Sequence, residues 1–203
     1  MELDEIRPGL WRWTALHPEW RASAEPESPA DWPPDVGCVA AETADALVVV
    51  DPLVPGGDRD EFWGWMDGLA HGAGRLHLIT TIRFHRRSRD EFVARYDAST
   101  SRAKRALPTG VRALPIRGAG ETMVFLQEHG ALVPGDRIIG DGHGGLRLCP
   151  ESWLGYLGSG ITLDELRERL RPLLDLPIEL VLVSHGEPVS EGGREELRRA
   201  LDG

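Results

Sequence analysis

Two stretches of this chain can satisfy their backbone only by antiparallel pairing, and segments alternating between helix and strand surround them. The first, VGCVAAETADALVVVDPLVP, reads as two apolar strands joined by a polar turn near Thr43–Asp45, the second ending at Asp51. The other, TMVFLQEHGALVPGDRIIGD, reads as a hairpin turning at Glu128, His129 and Gly130. Between them lie a helix over DRDEFWGWMDGLAHGAG, a short strand RLHLITT, a second helix and the strand VRALPI. After them come the helix LDELRERLRPLL, the strand IELVLVSHG ending at His185, and the terminal helix EGGREELRRALDG. A purely parallel doubly wound sheet cannot contain both hairpins, because hairpins pair antiparallel. Two sheets stacked face to face with helices outside accommodate the whole order.

Smaller signals refine this outline. Residues 5–20 alternate apolar and polar as one strand, with Trp11 and Trp13 on a single face. A proline-rich loop, AEPESPADWPPD, follows and resists both helix and ladder. Ser88 with Glu91, and Thr162 with Glu165, have the spacing of capping boxes and predict helix starts there. The expected chain is a single domain over residues 1–203, a length that suits one large unit.

Composition excludes several classes. A net charge of −10 argues against nucleic-acid binding, since phosphate contacts need a basic surface. There is no run of eighteen apolar residues to enter a membrane, and MELDEIRPGLWRW lacks the apolar core of a secretory signal, so a cytoplasmic protein is expected. Cys38 and Cys149 form no CxxC pair and read as two free thiols packed as small hydrophobes. One segment breaks the acidic trend. From Thr81 to Arg105, eight basic residues (Arg83, Arg86, Arg87, Arg89, Arg95, Arg102, Lys104, Arg105) face three acids. It reads either as a solvated face or as a local anion site.

Several strands end in a polar residue able to ligate or to move a proton: Asp51 in VVVDPL, His85 beyond LITT, Asp136 in LVPGD and His185 in VLVSHG. Strand ends can converge at one edge of a sheet. The glycine-rich GDGHGG, with Asp141 and His143, has no helix after it and so is not read as a dinucleotide loop. It is a glycine turn, or a source of replacement ligands. His17, His71, His77 and His129 are taken as structural or surface residues. The tryptophan pairs Trp11/Trp13 and Trp63/Trp65 read as core, with a homodimer interface or a pocket lid as the alternative.

The succession of a strand ending in Asp51, a turn after LITT, a hairpin carrying LVPGD and a final strand ending in SHG resembles the metallo-β-lactamase-fold hydrolases, over roughly residues 5 to 190. The resemblance implies an αββα sandwich of two mixed sheets with one or two metals at the sheet edges. It also implies a departure. The family's HxHxDH motif falls on TIRFHR, so that Thr81 and Arg83 stand for its first two histidines, His85 for the aspartate and Arg86 for the last histidine. A further metal-ligand histidine falls near Arg117. Arginine only donates hydrogen bonds and repels a metal.

The first functional expectation is therefore a protein with a degenerate metal site that binds a small anionic molecule through Arg83, Arg86 and Arg117, with little or no two-metal hydrolysis and no cofactor. The second is a hydrolase of an ester, thioester or phosphodiester using one divalent metal (zinc, manganese or iron) on His85, Asp136 and His185, aided by Asp51 or His143. The third is a structural or regulatory partner protein joined through the tryptophan surface.

Overall fold

Alternation of buried side chains along the strands sets the layering. In β3 (Asp35–Glu42), Val36, Cys38 and Ala40 face one way, while Val39 and Ala41 face the other. The same split runs through β4 (Leu47–Val50) and, in the second sheet, β8 (Glu121–Leu126), where Met123 and Phe125 oppose Val124 and Leu126. Strands apolar on both faces must be covered on both sides. The computed structural model, which describes residues 2–22, 25–101, 107–155 and 160–203, shows how this is met.

The first sheet has the order β1 (Glu2–Arg7), β2 (Leu10–Leu16), β3, β4, β5 (Leu76–Ile79) and β6 (Ser99–Ser101). Its first four strands pair antiparallel, whereas β4, β5 and β6 run parallel through helical crossovers. The second sheet has the order β12 (Leu180–Val181), β9 (Ala131–Val133), β8 and β7 (Val111–Ile116), with β12 parallel to β9 and the rest antiparallel. β10 (Ile138–Gly140) and β11 (Leu146–Leu148) form a separate ribbon around the glycine-rich turn.

Between the two sheets lies one core, with Val39, Val48 and Ile79 from the first meeting Val124, Val133 and Leu182 from the second. Outside the first sheet, α1 (Arg59–Ala73) and α2 (Arg89–Tyr96) bury Phe62, Met66 and Phe92 against Trp13. Outside the second, α3 (Glu151–Gly155), α4 (Leu163–Leu170) and α5 (Gly193–Asp202) contribute Trp153, Leu166, Leu170, Leu197 and Leu201. The molecule is thus the αββα sandwich of two mixed sheets. No helix among the described residues is long and apolar enough to cross a membrane.

Three local expectations are corrected. The single strand over residues 5–20 is a hairpin, β1 and β2 turning at Pro8–Gly9, where Gly9 supplies a positive φ. Trp13 has the core place expected of it: it is fully buried, with its Nε1 donating to the Leu53 carbonyl. Thr162 and Glu165 form the capping box, but Ser88 does not: its hydroxyl accepts from the Val54 amide and Glu91 pairs with Arg59 instead. IELVLVSHG supplies only a two-residue strand, and its remainder is a loop. Arg102, Lys104 and Arg105 of the basic run lie outside the described residues. Both cysteines are free and buried, and burial pushes each thiol up to about 11.

One close approach joins the layers beside the site. The Gly37 amide in β3 donates to the Ser184 carbonyl at 2.7 Å, and a Cβ on Gly37 would stand 2.6 Å from the Val183 carbonyl oxygen. Gly37→Ala is expected to destabilise the protein by about 1–3 kcal/mol through overpacking. Gly68→Ala, on α1 with nothing within 4 Å, should stabilise it by about 0.5–1 kcal/mol. Urea unfolding of both variants checks the pair, and a tolerated alanine at Gly37 would contradict the close approach.

Candidate functional site

The loops after four strands deliver the polar groups. Asp51 follows β4 with φ of 51°, a left-handed conformation that aspartate tolerates, and its amide continues the parallel pairing by donating to the Ile79 carbonyl. That turn directs its carboxylate onto Thr81, which donates from its amide at 2.8 Å and from its hydroxyl. His85 follows β5 in a short 3₁₀ turn over Arg83–Arg86 and is buried. Its Nδ1 lies 2.8 Å from Asp51 Oδ2, which holds a proton on Nδ1 and turns Nε2 toward Asp136.

Asp136 follows β9. The buried carboxylate of Glu121, at the start of β8, accepts from the backbone amides of Gly135, Asp136 and Arg137 at 2.9, 2.7 and 3.0 Å. This clamp fixes the turn and aims the Asp136 side chain. Gly135 is needed because a Cβ would strike the Thr81 hydroxyl at 2.7 Å. Burial and the nearby Asp136 push Glu121 up to about 7, against the pull of its three amide donors.

His185 follows β12. Its loop is pinned by Gly140, whose amide donates to the His185 carbonyl at 2.9 Å, and by Arg12, which donates to the Gly186 carbonyl at 3.1 Å. Trp32 and Trp153 pack edge-on against its ring, with centroids 5.8 and 5.4 Å away.

These loops bring together His85 Nε2, Asp136 Oδ1 and His185 Nε2, three donor atoms within 4.8 Å of one another. The two ring nitrogens lie 2.9 and 3.2 Å from Asp136 Oδ1. Even so, Oδ1 is buried without a well-directed hydrogen bond. The three atoms converge on a common point instead of pairing in line. Burial opposes ionisation of Asp136, but the two imidazoles hold its carboxyl well below the usual carboxylate range. Burial and Arg87 disfavour a protonated His85, yet Asp136 and Asp51 outweigh them and push it up to about 9. Burial dominates at His185 and lowers its pKa against the attraction of Asp136.

Of the residues singled out from sequence, the structure gathers Asp51, His85, Asp136 and His185. It does not gather the arginines assigned to anion recognition. Arg86 is exposed and pairs with Asp90, Arg83 is exposed with its guanidinium over Phe84, and Arg117 is exposed on the turn after β7. None of the three lines the cavity over the cluster. Arg83 and Arg86 match the motif by spacing, but the 3₁₀ turn buries only His85 and leaves both arginines outward. Asp141 and His143 lie in the β10–β11 turn, where Asp141 Oδ1 accepts from the amides of His143 and Gly145, and they too stay out of the cavity wall.

The arginine that does reach the site is Arg87. Its guanidinium donates to the Gly37 and Asp51 carbonyls at 3.1 and 3.0 Å and to the Ser184 hydroxyl at 2.7 Å, bracing both sheets. Sequence reasoning missed this role, because nothing in a run of arginines marks the buried one. It also missed Glu121, and it took His17 as structural or surface with no part in a site, although His17 lines the cavity beside Trp32. Arg87→Met is expected to cost about 2–3 kcal/mol by stripping buried carbonyls of a charged donor. Arg83→Gln and Arg86→Gln should each change stability by no more than about 0.5 kcal/mol. Equal losses in thermal unfolding across the three would refute this division.

Comparison with other proteins leaves the fold as the informative likeness. No family model matches the sequence, and no curated protein matches it either. Among solved structures, VMB-1 superposes with a TM-score of 0.63 at 14% identity, covering 99% of this chain and 96% of that one. DIM-1 metallo-β-lactamase superposes with a TM-score of 0.61 at 12% identity and the same coverages. FIM-1 metallo-β-lactamase from Pseudomonas aeruginosa, in its mono-zinc form, gives 0.57 at 11% identity over 99% of this chain and 94% of that one. From its first strand to its last helix, the chain has the metallo-β-lactamase fold.

Proposed function

We propose that this protein is a one-metal hydrolase whose ion is held by His85 Nε2, Asp136 Oδ1 and His185 Nε2, with an ester, thioester or phosphodiester as the class of substrate. The observation that carries this reading is the state of Asp136 Oδ1, buried between two imidazole nitrogens without a directed hydrogen bond. Tetrahedral ligands with bonds of about 2.0–2.1 Å stand about 3.4 Å from one another, and separations of 2.9 and 3.2 Å are close to that spacing. Two imidazoles and one carboxylate suit zinc or iron, with manganese the harder alternative. Three protein ligands leave further positions open toward the cavity, as a catalytic site requires. FIM-1, of the same fold, has been seen in a mono-zinc form, so the architecture is compatible with a single ion.

A divalent ion there would supply Lewis acidity toward a carbonyl or phosphoryl oxygen. The chain supplies the rest. Asp51 keeps the His85 proton on Nδ1 and its Nε2 free to donate its lone pair. Glu121 holds the Asp136 turn, and Arg87 locks the Asp51 and Ser184 segments in register. Trp32 and Trp153 wall His185 and keep bulk water from that side.

A metal-free site is the second reading: Asp51 and Asp136 lie near Arg87 and a protonated His85, so the cluster balances its charge without an ion. Thermal unfolding distinguishes the two. At a hundredfold excess over its dissociation constant, zinc should stabilise the protein by about 2.7 kcal/mol and raise its Tm by several degrees. The rise should vanish in Asp136→Asn. The absence of a shift with zinc, manganese and iron in turn would sink the one-metal reading.

A further inference from the structure

The cavity over the cluster has a volume of about 280 Å³, at the small end for a small-molecule site. Apolar groups make most of its wall: Pro29, Ala30 and Trp32 from the proline-rich loop, Val36 of β3, Phe84 and Trp153. Both indoles touch the His185 ring, so a group lodged between them lies beside the three donor atoms. The wall is built before any ligand arrives. Trp153 Nε1 donates to the Ser28 carbonyl at 3.1 Å, the Ser152 hydroxyl donates to the Glu27 carbonyl, and Trp20 Nε1 donates to the Trp32 carbonyl at 3.0 Å. These bonds fasten the proline-rich loop to α3.

Charge then narrows the class of ligand. Two arginines line the cavity, and the protein itself engages both. Arg137 is buried, with its guanidinium on the carbonyls of Ala119 and Trp153. Arg87 is held by two carbonyls and the Ser184 hydroxyl, and its remaining Nε is buried. The carboxylates of Glu19 and Asp136 also line the cavity. Among the described residues, an anionic ligand would bury its charge beside the Asp136 carboxylate with no uncommitted cation in the wall to receive it, which is costly.

We infer that the cavity binds a small uncharged carbonyl compound, an ester or thioester whose apolar or aromatic acyl group sits among Trp32, Phe84 and Trp153. The binding preference stands on the wall alone; only its consequence, hydrolysis, rests on the proposed metal site. In that reaction water adds to the acyl carbon, the acyl–oxygen or acyl–sulfur bond breaks, and the alcohol or thiol leaves with a proton. The other product is a carboxylic acid that ionises. Glu19 and Asp136 then repel it, which favours its release.

The test compares two probes of the same shape, 1-naphthyl methyl ketone and 1-naphthoate, by calorimetry on the full chain with and without zinc. In zinc-free protein the ketone should bind at least about tenfold more tightly than the carboxylate. Phe84 is 42% exposed, so Phe84→Ala leaves the fold intact, and it should weaken the ketone about threefold. Trp32→Ala should weaken it further. Naphthoate binding as tightly as the ketone, no ketone binding, or ketone binding unchanged in both variants would overturn the inference. Ketone preference in a protein that takes up no zinc would leave this pocket standing and remove the hydrolase. Zinc uptake with naphthoate preferred would do the reverse.

Discussion

Asp136 Oδ1 lies between two imidazoles brought from opposite sheets, and most of the polar structure nearby exists to hold it there. His85 comes from the loop after β5 in the first sheet, and His185 from the loop after β12 in the second. A buried carboxylate is tolerated only where charge or hydrogen bonding compensates its lost hydration. Each partner has its own support. Asp51 and Thr81 set the His85 ring, the Glu121 clamp aims Asp136, and Arg12, Gly37 and Gly140 fix the loop of His185. Loss of any one support would leave a buried charge misdirected, so the site and the packing of the two sheets are not separable.

The fold was legible in the sequence because its signals are local and repeated. Continuous apolar runs in β3, β4 and β8 required two covered faces, and the hairpins at Thr43–Asp45 and Glu128–Gly130 required antiparallel pairs. The positions of Asp51, His85, Asp136 and His185 were legible for a related reason: each closes an apolar run with a polar residue. Glu121 was not, since an acid opening a strand ordinarily reaches solvent, and only the tertiary turn at Gly135 gives it three amides. The same tertiary override took Ser88 away from its helix, as the Val54 amide competes for its hydroxyl. Arg87 differs from Arg83 and Arg86 in closing the 3₁₀ turn with a positive φ that turns it inward, which residue spacing does not encode.

The walls of the cavity come from places with no sequence relation to one another. Trp32 sits in a loop that looks like a linker, and Trp153 in a helix of one and a half turns; both pack on His185, and hydrogen bonds from α3 fasten the loop beside it. Tryptophans read from sequence as core or interface thus divide between two tasks. Trp13 fills the outer core of the first sheet, while Trp32 and Trp153 shape a cavity. Among the described arginines of the basic run, the most conspicuous charge feature of the sequence, Arg87 alone lines the cavity, and it acts as a brace.

X-ray absorption spectroscopy at the zinc edge, on protein loaded with one equivalent of zinc, tests the central claim most directly. Coordination by His85, Asp136 and His185 predicts a first shell of nitrogen and oxygen alone at about 2.0–2.1 Å, with the outer scattering of two imidazoles. That pattern should be lost in His185→Ala. A sulfur shell near about 2.3 Å, or an unchanged spectrum in His185→Ala, would place the ion elsewhere and contradict the one-metal site.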